Sequence, residues 1–174
     1  AGVDKATIKL APGRTMAENT ALLRAGELDV IQVFEPFAQQ LLAEGAGHRW
    51  YTAASRGPAT YTTLNTTREF MARDPQTVLA MTRAVYHMQQ WIAAHDGSAF
   101  AQLIAGYFPD MPKATLAACL AGYKTTGIWN TNPVQHRAGL EWLRDAMFSC
   151  GAINARPAFE DVSDMRFAEQ VVRE

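Results

Sequence analysis

Four residues combine side chains suited to holding a small molecule with positions at which folds expose such groups: Arg14, Thr15, Glu35 and Tyr61. Arg14 and Thr15 close the run Pro12-Gly13-Arg14-Thr15, directly ahead of a predicted helix. A guanidinium, a hydroxyl and the free N–H groups of a helix start together suit an anionic group. Glu35, in Phe34-Glu35-Pro36, offers a carboxylate that accepts hydrogen bonds from an amine or orients a neighbouring donor. Tyr61 falls where the chain crosses between two parts of different character, a position suited to lining a cleft. Three of the four also have a plain structural role open to them: Arg14 in solvent, Thr15 as a helix cap, Glu35 paired with a basic neighbour.

Other chemistry finds little support. His48, His87, His95 and His136 show no pairing at metal-ligand spacing, and Cys119 and Cys150 match no zinc pattern. The two cysteines read as small apolar residues on helix faces, though an oxidising compartment would permit them to pair. There is no Gly-x-Ser-x-Gly, no phosphate-binding glycine loop and no dinucleotide fingerprint. The expectation is therefore a protein that is not an enzyme and needs no metal or cofactor. Sixteen basic and 17 acidic residues, for a net charge of -1, are mixed along the chain. That leaves no basic footprint for nucleic acid. No apolar run approaches the length of a membrane span, and Ala1-Gly2-Val3-Asp4 lacks the features of a signal peptide. The chain is expected to start in the middle of a fold.

The elements that would position these residues follow from local pattern. Thr7 to Ala11 predicts a short strand, then a capping box, Thr15-Met16-Ala17-Glu18, opens a helix that Gly26 ends. Val30 to Phe34 predicts a second, mostly apolar strand, giving a compact βαβ unit with parallel strands. In such a unit Arg14, Thr15 and Glu35 sit beyond the strand ends, where open parallel sheets hold ligands. A short helix from Phe37 to Glu44 precedes Gly45, and segments 50–52 and 59–64 have strand-like composition.

Beyond them the pattern becomes helical. Asp74-Pro75 caps a long amphipathic helix carrying Val78, Met81, Val85, Met88 and Ile92 to about His95. Ser98 caps the next, Pro112 opens one with Leu116, Cys119, Leu120 and Tyr123 inward, and Asn132-Pro133 opens one that Gly151 ends. A last turn or two spans Phe167 to Arg173. Trp91 and Trp142 are expected as packing residues and Trp129 as a hydrophobic plug. The fold class predicted is α/β, a βαβ unit followed by a mainly helical half.

Several segments also resemble a known family. Leu22-Leu23-Arg24-Ala25-Gly26-Glu27-Leu28-Asp29-Val30, followed by Glu35-Pro36-Phe37, resembles the "LxxGEIDA…EPF" segment of ABC-transporter substrate-binding proteins. These are the proteins for sulfonates, nitrate, taurine and the pyrimidine precursor of thiamine. The stretch from Tyr61-Thr62-Thr63-Leu64 through Arg68-Glu69-Phe70-Met71 to Asp74-Pro75-Gln76-Thr77-Val78 is similar to a later part of the same family, as is Val162 to Ala168.

The resemblance implies part of a two-lobed, type II periplasmic binding protein-like fold. Residues 1–57 would be the C-terminal half of the distal lobe, and 58–174 the return strand and helices of the first lobe. The N-terminal lobe would be missing from this chain, supplied by the rest of the same protein or by an exchanged copy. It implies a solute-binding component holding a small polar ligand in an interlobe cleft for an ABC transporter permease. The location implied is the periplasm, or a lipid anchor outside the cytoplasmic membrane. Two alternatives share the pattern: an enzyme like thiamine-pyrimidine synthase, whose cysteine-rich motif has no counterpart here, and the ligand-sensing domain of a regulator.

Overall fold

The computed structural model describes residues 4–174, and among them the chain is helical, with no strand. The α/β expectation is therefore corrected. An extended segment becomes a strand only when a neighbour satisfies its N–H and C=O groups, and here the neighbours are of another kind. Lys5 to Thr7 forms a 3-10 turn that draws the Thr7 N–H back to the Asp4 carbonyl. The Phe34 N–H goes to the Met16 sulfur at 3.4 Å rather than to a parallel partner. Segment 59–64 makes one backbone bond to a helix, Thr60 N–H to the Gly139 carbonyl at 3.2 Å. Ile8, Leu10 and Val30, which fall in the two expected strands, stand exposed.

The helices follow the local signals closely. Helix α1 (Met16–Arg24) carries the complete capping box: Thr15 accepts from the Glu18 N–H at 3.2 Å and Glu18 accepts from the Thr15 N–H at 2.7 Å. It ends at Gly26, whose φ of 73° lets the Glu27 N–H reach the Leu22 carbonyl. Helix α2 (Phe37–Ala43) stops the same way at Gly45. Thr67 caps α3 (Arg68–Arg73), and Asp74 caps α4 (Pro75–Ala94), accepting from the Thr77 N–H at 3.1 Å.

Two starts differ from expectation. Asp96, not Ser98, caps α5 (Gly97–Ile104), because its carboxylate meets the Ala99 N–H at 2.8 Å. Helix α6 (Lys113–Thr125) follows Pro112 as foreseen. Helix α7 (Arg137–Ser149) starts later than Asn132-Pro133, since Asn132 folds its side chain onto the Val134 N–H in a local turn. The short α8 (Phe159–Val162) and the terminal α9 (Arg166–Arg173) complete the order.

The core lies between α5 and α6, around Phe100, Ala101, Leu116 and Leu120. Gly97 sets its closeness, because a Cβ there would lie 2.7 Å from both the Ala117 carbonyl oxygen and the Ala121 nitrogen. An aromatic series runs through this core. His95 stacks on Trp91 at 4.0 Å, Trp91 meets Phe100 edge-on at 5.9 Å, and Trp129 packs against both Phe100 and Tyr123. Trp91 and Trp129 thus pack as expected, whereas Trp142 on α7 and Met81 on α4 are exposed.

Lys124 of α6 caps the far end of α4. Its ammonium donates to the carbonyls of Ile92 at 2.8 Å, Ala93 at 3.3 Å and also His95. A cation at a helix C-terminus is favoured by the dipole as well as by the unpaired carbonyls. Helix α9 covers α4 through Ala168 and Val171, with Arg83 and Glu174 joined at 2.6 Å.

Two stability predictions follow from this half. Gly97→Ala forces backbone apart and should lower the unfolding free energy by about 1–3 kcal/mol. Lys124→Met strands the last carbonyls of α4 and should cost a similar amount, about 1–3 kcal/mol. Urea denaturation followed by circular dichroism measures both.

Candidate functional site

The structure ties the start of α1 to the chain ahead of Glu35 by one contact: Met16, next to Thr15, accepts at its sulfur from the N–H of Phe34, next to Glu35, at 3.4 Å. Arg14 is exposed and reaches the Ala11 carbonyl at 3.4 Å. Thr15 is exposed too, but its hydroxyl is engaged within the capping box, donating to Glu18 at 2.9 Å. The backbone N–H and the hydroxyl of Thr15 hold the Glu18 carboxyl below its usual range. Tyr61 stands apart, 77% exposed, with no described hydrogen bond or ion pair joining it to the other three.

Glu35 is the most constrained of the four. Its side chain is 9% exposed, although the residue precedes a helix in a loop. One oxygen accepts the Gln39 N–H at 2.8 Å, closing the first turn of α2. The other accepts from Arg49 at 3.2 Å. The Cys119 sulfur lies 4.0 Å away, and a Cβ on Gly122 would stand 4.0 Å from the carboxylate. Glu35 therefore faces α6 and joins α2 to it. The Glu35–Pro36 peptide bond is cis.

Sequence reading missed Arg49. It lies fourteen residues after its partner in an extended segment, where no periodicity singles it out. A basic residue ahead of Trp50-Tyr51 was the one signal, and it names no partner.

Two hollows lie elsewhere. A cavity of about 240 Å³ between the second half of α4 and the end of α6 is lined by Gln89, Ile92, Lys124 and Trp129, among others. A more open groove of about 300 Å³ runs between Gln40 of α2 and the Tyr107–Pro112 loop. None of Arg14, Thr15, Glu35 or Tyr61 lines either one. Among the described residues no group of His, Cys, Asp and Glu is arranged to hold a metal ion.

Both cysteines are free, Cys119 buried and Cys150 exposed. Burial first, and then the charge of Glu35, push the Cys119 thiol up to about 11. Burial likewise raises the Tyr123 hydroxyl, partly offset by the Glu35 backbone. Because the folded pKa of Cys119 exceeds the unfolded one, its contribution is intact below the unfolded pKa and is lost as pH rises towards about 11. A disulfide-exchange reagent at pH 8 should therefore label Cys150 promptly. Cys119 should react only after denaturant is added, as the time course of thiol release will report.

Residues 3–106 match the NMT1-like family. A protein of Bacillus subtilis (strain 168), named "Putative binding protein YtlA", is 23% identical over 151 residues, covering 86% of this chain and 45% of its own length. The chain thus spans about half the length of the curated relative it matches. No solved structure matches it. The family match takes in Arg14, Thr15, Glu35 and Tyr61 and covers more than half of the residues, in keeping with the resemblance to ABC-transporter substrate-binding proteins: the chain belongs to the NMT1-like family.

Proposed function

We propose that this chain is part of the solute-binding component of an ABC importer, holding a small polar molecule and delivering it to a permease. The observation that carries the reading is the family match over residues 3–106, which spans every residue expected at the site. A relative named as a binding protein supports it over most of this chain. The candidate solutes are sulfonates, taurine, nitrate and aminopyrimidine-like molecules. The periplasm, or the outer face of the cytoplasmic membrane through a lipid anchor, is the proposed location.

In this reading residues 1–57 and 58–174 belong to two lobes, and a further portion of the protein completes the cleft. Contacts within each part accompany this division, and one contact, between α2 and α6, joins the two parts across it. Helices α1 and α2 pack on each other, and α2 meets the helical half through α6. Segment 58–60 then lies against α7, where a Cβ on Gly139 would come within 3.1 Å of Thr60. The Arg14–Thr15 loop, the Glu35 corner and Tyr61 would line the cleft from this side. A small solute enclosed between closing lobes needs few but well-placed polar groups, which is what such a corner offers.

A thermal-shift screen of the full-length protein against alkanesulfonates, taurine, nitrate, bicarbonate and aminopyrimidines tests the proposal. A solute that binds only the folded state should add about 2.7 kcal/mol of stability at a hundredfold excess over its Kd. A raised midpoint with one class, and none with the others, is the expected result. No shift with any class, in folded protein stripped of co-purified solute, would remove the reading.

A further inference from the structure

We infer that Arg49 is the group that receives the anionic part of the solute, and that Glu35 acts through it as a positioning residue without touching the solute. The inference rests on the solute-binding reading and assigns the work within the Glu35 corner.

Glu35 has little left to offer a solute. Its side chain is 9% exposed, with one oxygen on the Gln39 N–H at 2.8 Å and the other on Arg49 at 3.2 Å. Its remaining surroundings, Cys119 and Gly122, belong to α6 and not to solvent. A carboxylate turned inward in this way serves to hold what it binds.

Arg49 is the complement. Its side chain is 39% exposed, and its described hydrogen bond uses only one terminal nitrogen, Nη2. A guanidinium carries five N–H donors in a planar fork matched to two oxygens of one oxyanion. Arg56 and Arg68 also use a single nitrogen, but on a phenol and a backbone carbonyl rather than on a buried carboxylate, and in Arg24 and Arg166 the fork is already filled. Arg24 places Nε and Nη2 on the two oxygens of Glu44, at 2.6 and 2.9 Å. Arg166 likewise grips Asp164 through Nε and Nη2. Arg49 is instead anchored at one point by a buried carboxylate and makes no other described hydrogen bond.

Anchoring also answers the entropy cost of ordering a long side chain, since Glu35 fixes the guanidinium before a solute arrives. Arg14 is a further exposed cation, two residues before the Met16 that contacts Phe34. The solute class this selects is a small molecule with a carboxylate, sulfonate or phosphate group.

The test is isothermal titration of the full-length protein with taurine, ethanesulfonate and an uncharged aminopyrimidine. The variants are Arg49→Gln, Arg49→Lys, Glu35→Gln and the double Glu35→Gln/Arg49→Gln, each first shown by circular dichroism to be folded. Arg49→Gln should weaken sulfonate binding by about tenfold or more, with Arg49→Lys recovering part of the loss. The double variant should bind no more weakly than Arg49→Gln alone, because Glu35 acts only through Arg49.

If Glu35→Gln fails to fold, the comparison of glutamine with lysine at position 49 decides the role of Arg49. Losses that multiply in the double variant would place Glu35 on the solute itself and overturn the division of labour. Sulfonate affinity unchanged in Arg49→Gln, or an equal loss for the aminopyrimidine, would overturn the role of Arg49. Wild-type binding of the aminopyrimidine alone would overturn it while leaving the solute-binding reading in place. Wild-type protein that binds none of the three in the titration, and nothing in the wider screen, removes both.

Discussion

The first part of this chain hangs on one buried carboxylate. Glu35 lies where α2 meets α6, with 9% of its side chain exposed, and a charge in that position must be fully partnered. It is partnered from two directions at once, by the Gln39 N–H from its own helix and by the Arg49 guanidinium from the extended segment that follows. Without Arg49 the second carboxylate oxygen would lose its partner, a loss of about 1–3 kcal/mol. The same requirement fixes neighbouring chemistry. It brings Arg49 to the corner, and its negative charge adds to burial in keeping the Cys119 thiol protonated.

What Glu35 leans on is stiff for independent reasons. Helix α6 is pressed against α5 by the absence of a side chain at Gly97, and it reaches back through Lys124 to close the end of α4. Phe100, Trp129 and Tyr123 fill the space between with ring contacts of 5.3 and 5.6 Å. Such packing leaves few rotamers and little give. The Glu35–Arg49 pair is therefore carried on irregular chain but referred to a rigid helix pair. That arrangement suits a site whose polar groups must be in place before a solute arrives.

How much of this was legible depended on the range of the forces involved. Capping is settled within four residues, so the Thr15–Glu18 box, the Asp74 cap and the stops at Gly26, Gly45 and Gly151 stood in the sequence as they stand in the structure. Where two candidates competed nearby, the choice turned on geometry: Asp96 won over Ser98. The inner face of α6 was readable because Leu116, Cys119 and Leu120 repeat at helical spacing. The strands were not, because strand composition becomes a strand only through a partner, and segments 8–11 and 30–34 do not pair with each other. Of the site residues, Glu35 was found from its place in the chain. Arg49 was not, since its meaning comes entirely from a contact fourteen residues back.

The distribution of apolar surface follows the same division. Among the described residues, Ile8, Leu10, Val30, Phe34, Trp50, Tyr51, Tyr61 and Leu64 are all exposed, whereas of the buried apolar residues only Leu41 precedes Leu79. Exposed apolar residues are ordinary in themselves; what sets the first part apart is that so few of its apolar residues are buried. The helical half buries more of its apolar residues, on α5, α6 and the α4–α9 contact, while Met81, Leu103, Tyr107 and Trp142 stay exposed there as well. The first part cannot bury its own internally, because two short helices joined by extended chain enclose too little volume. In the proposed binding protein this uneven surface has a direct use. The apolar residues of the first part would pack on a further portion of the protein, and the exposed Arg14 and Arg49 would remain available to the solute.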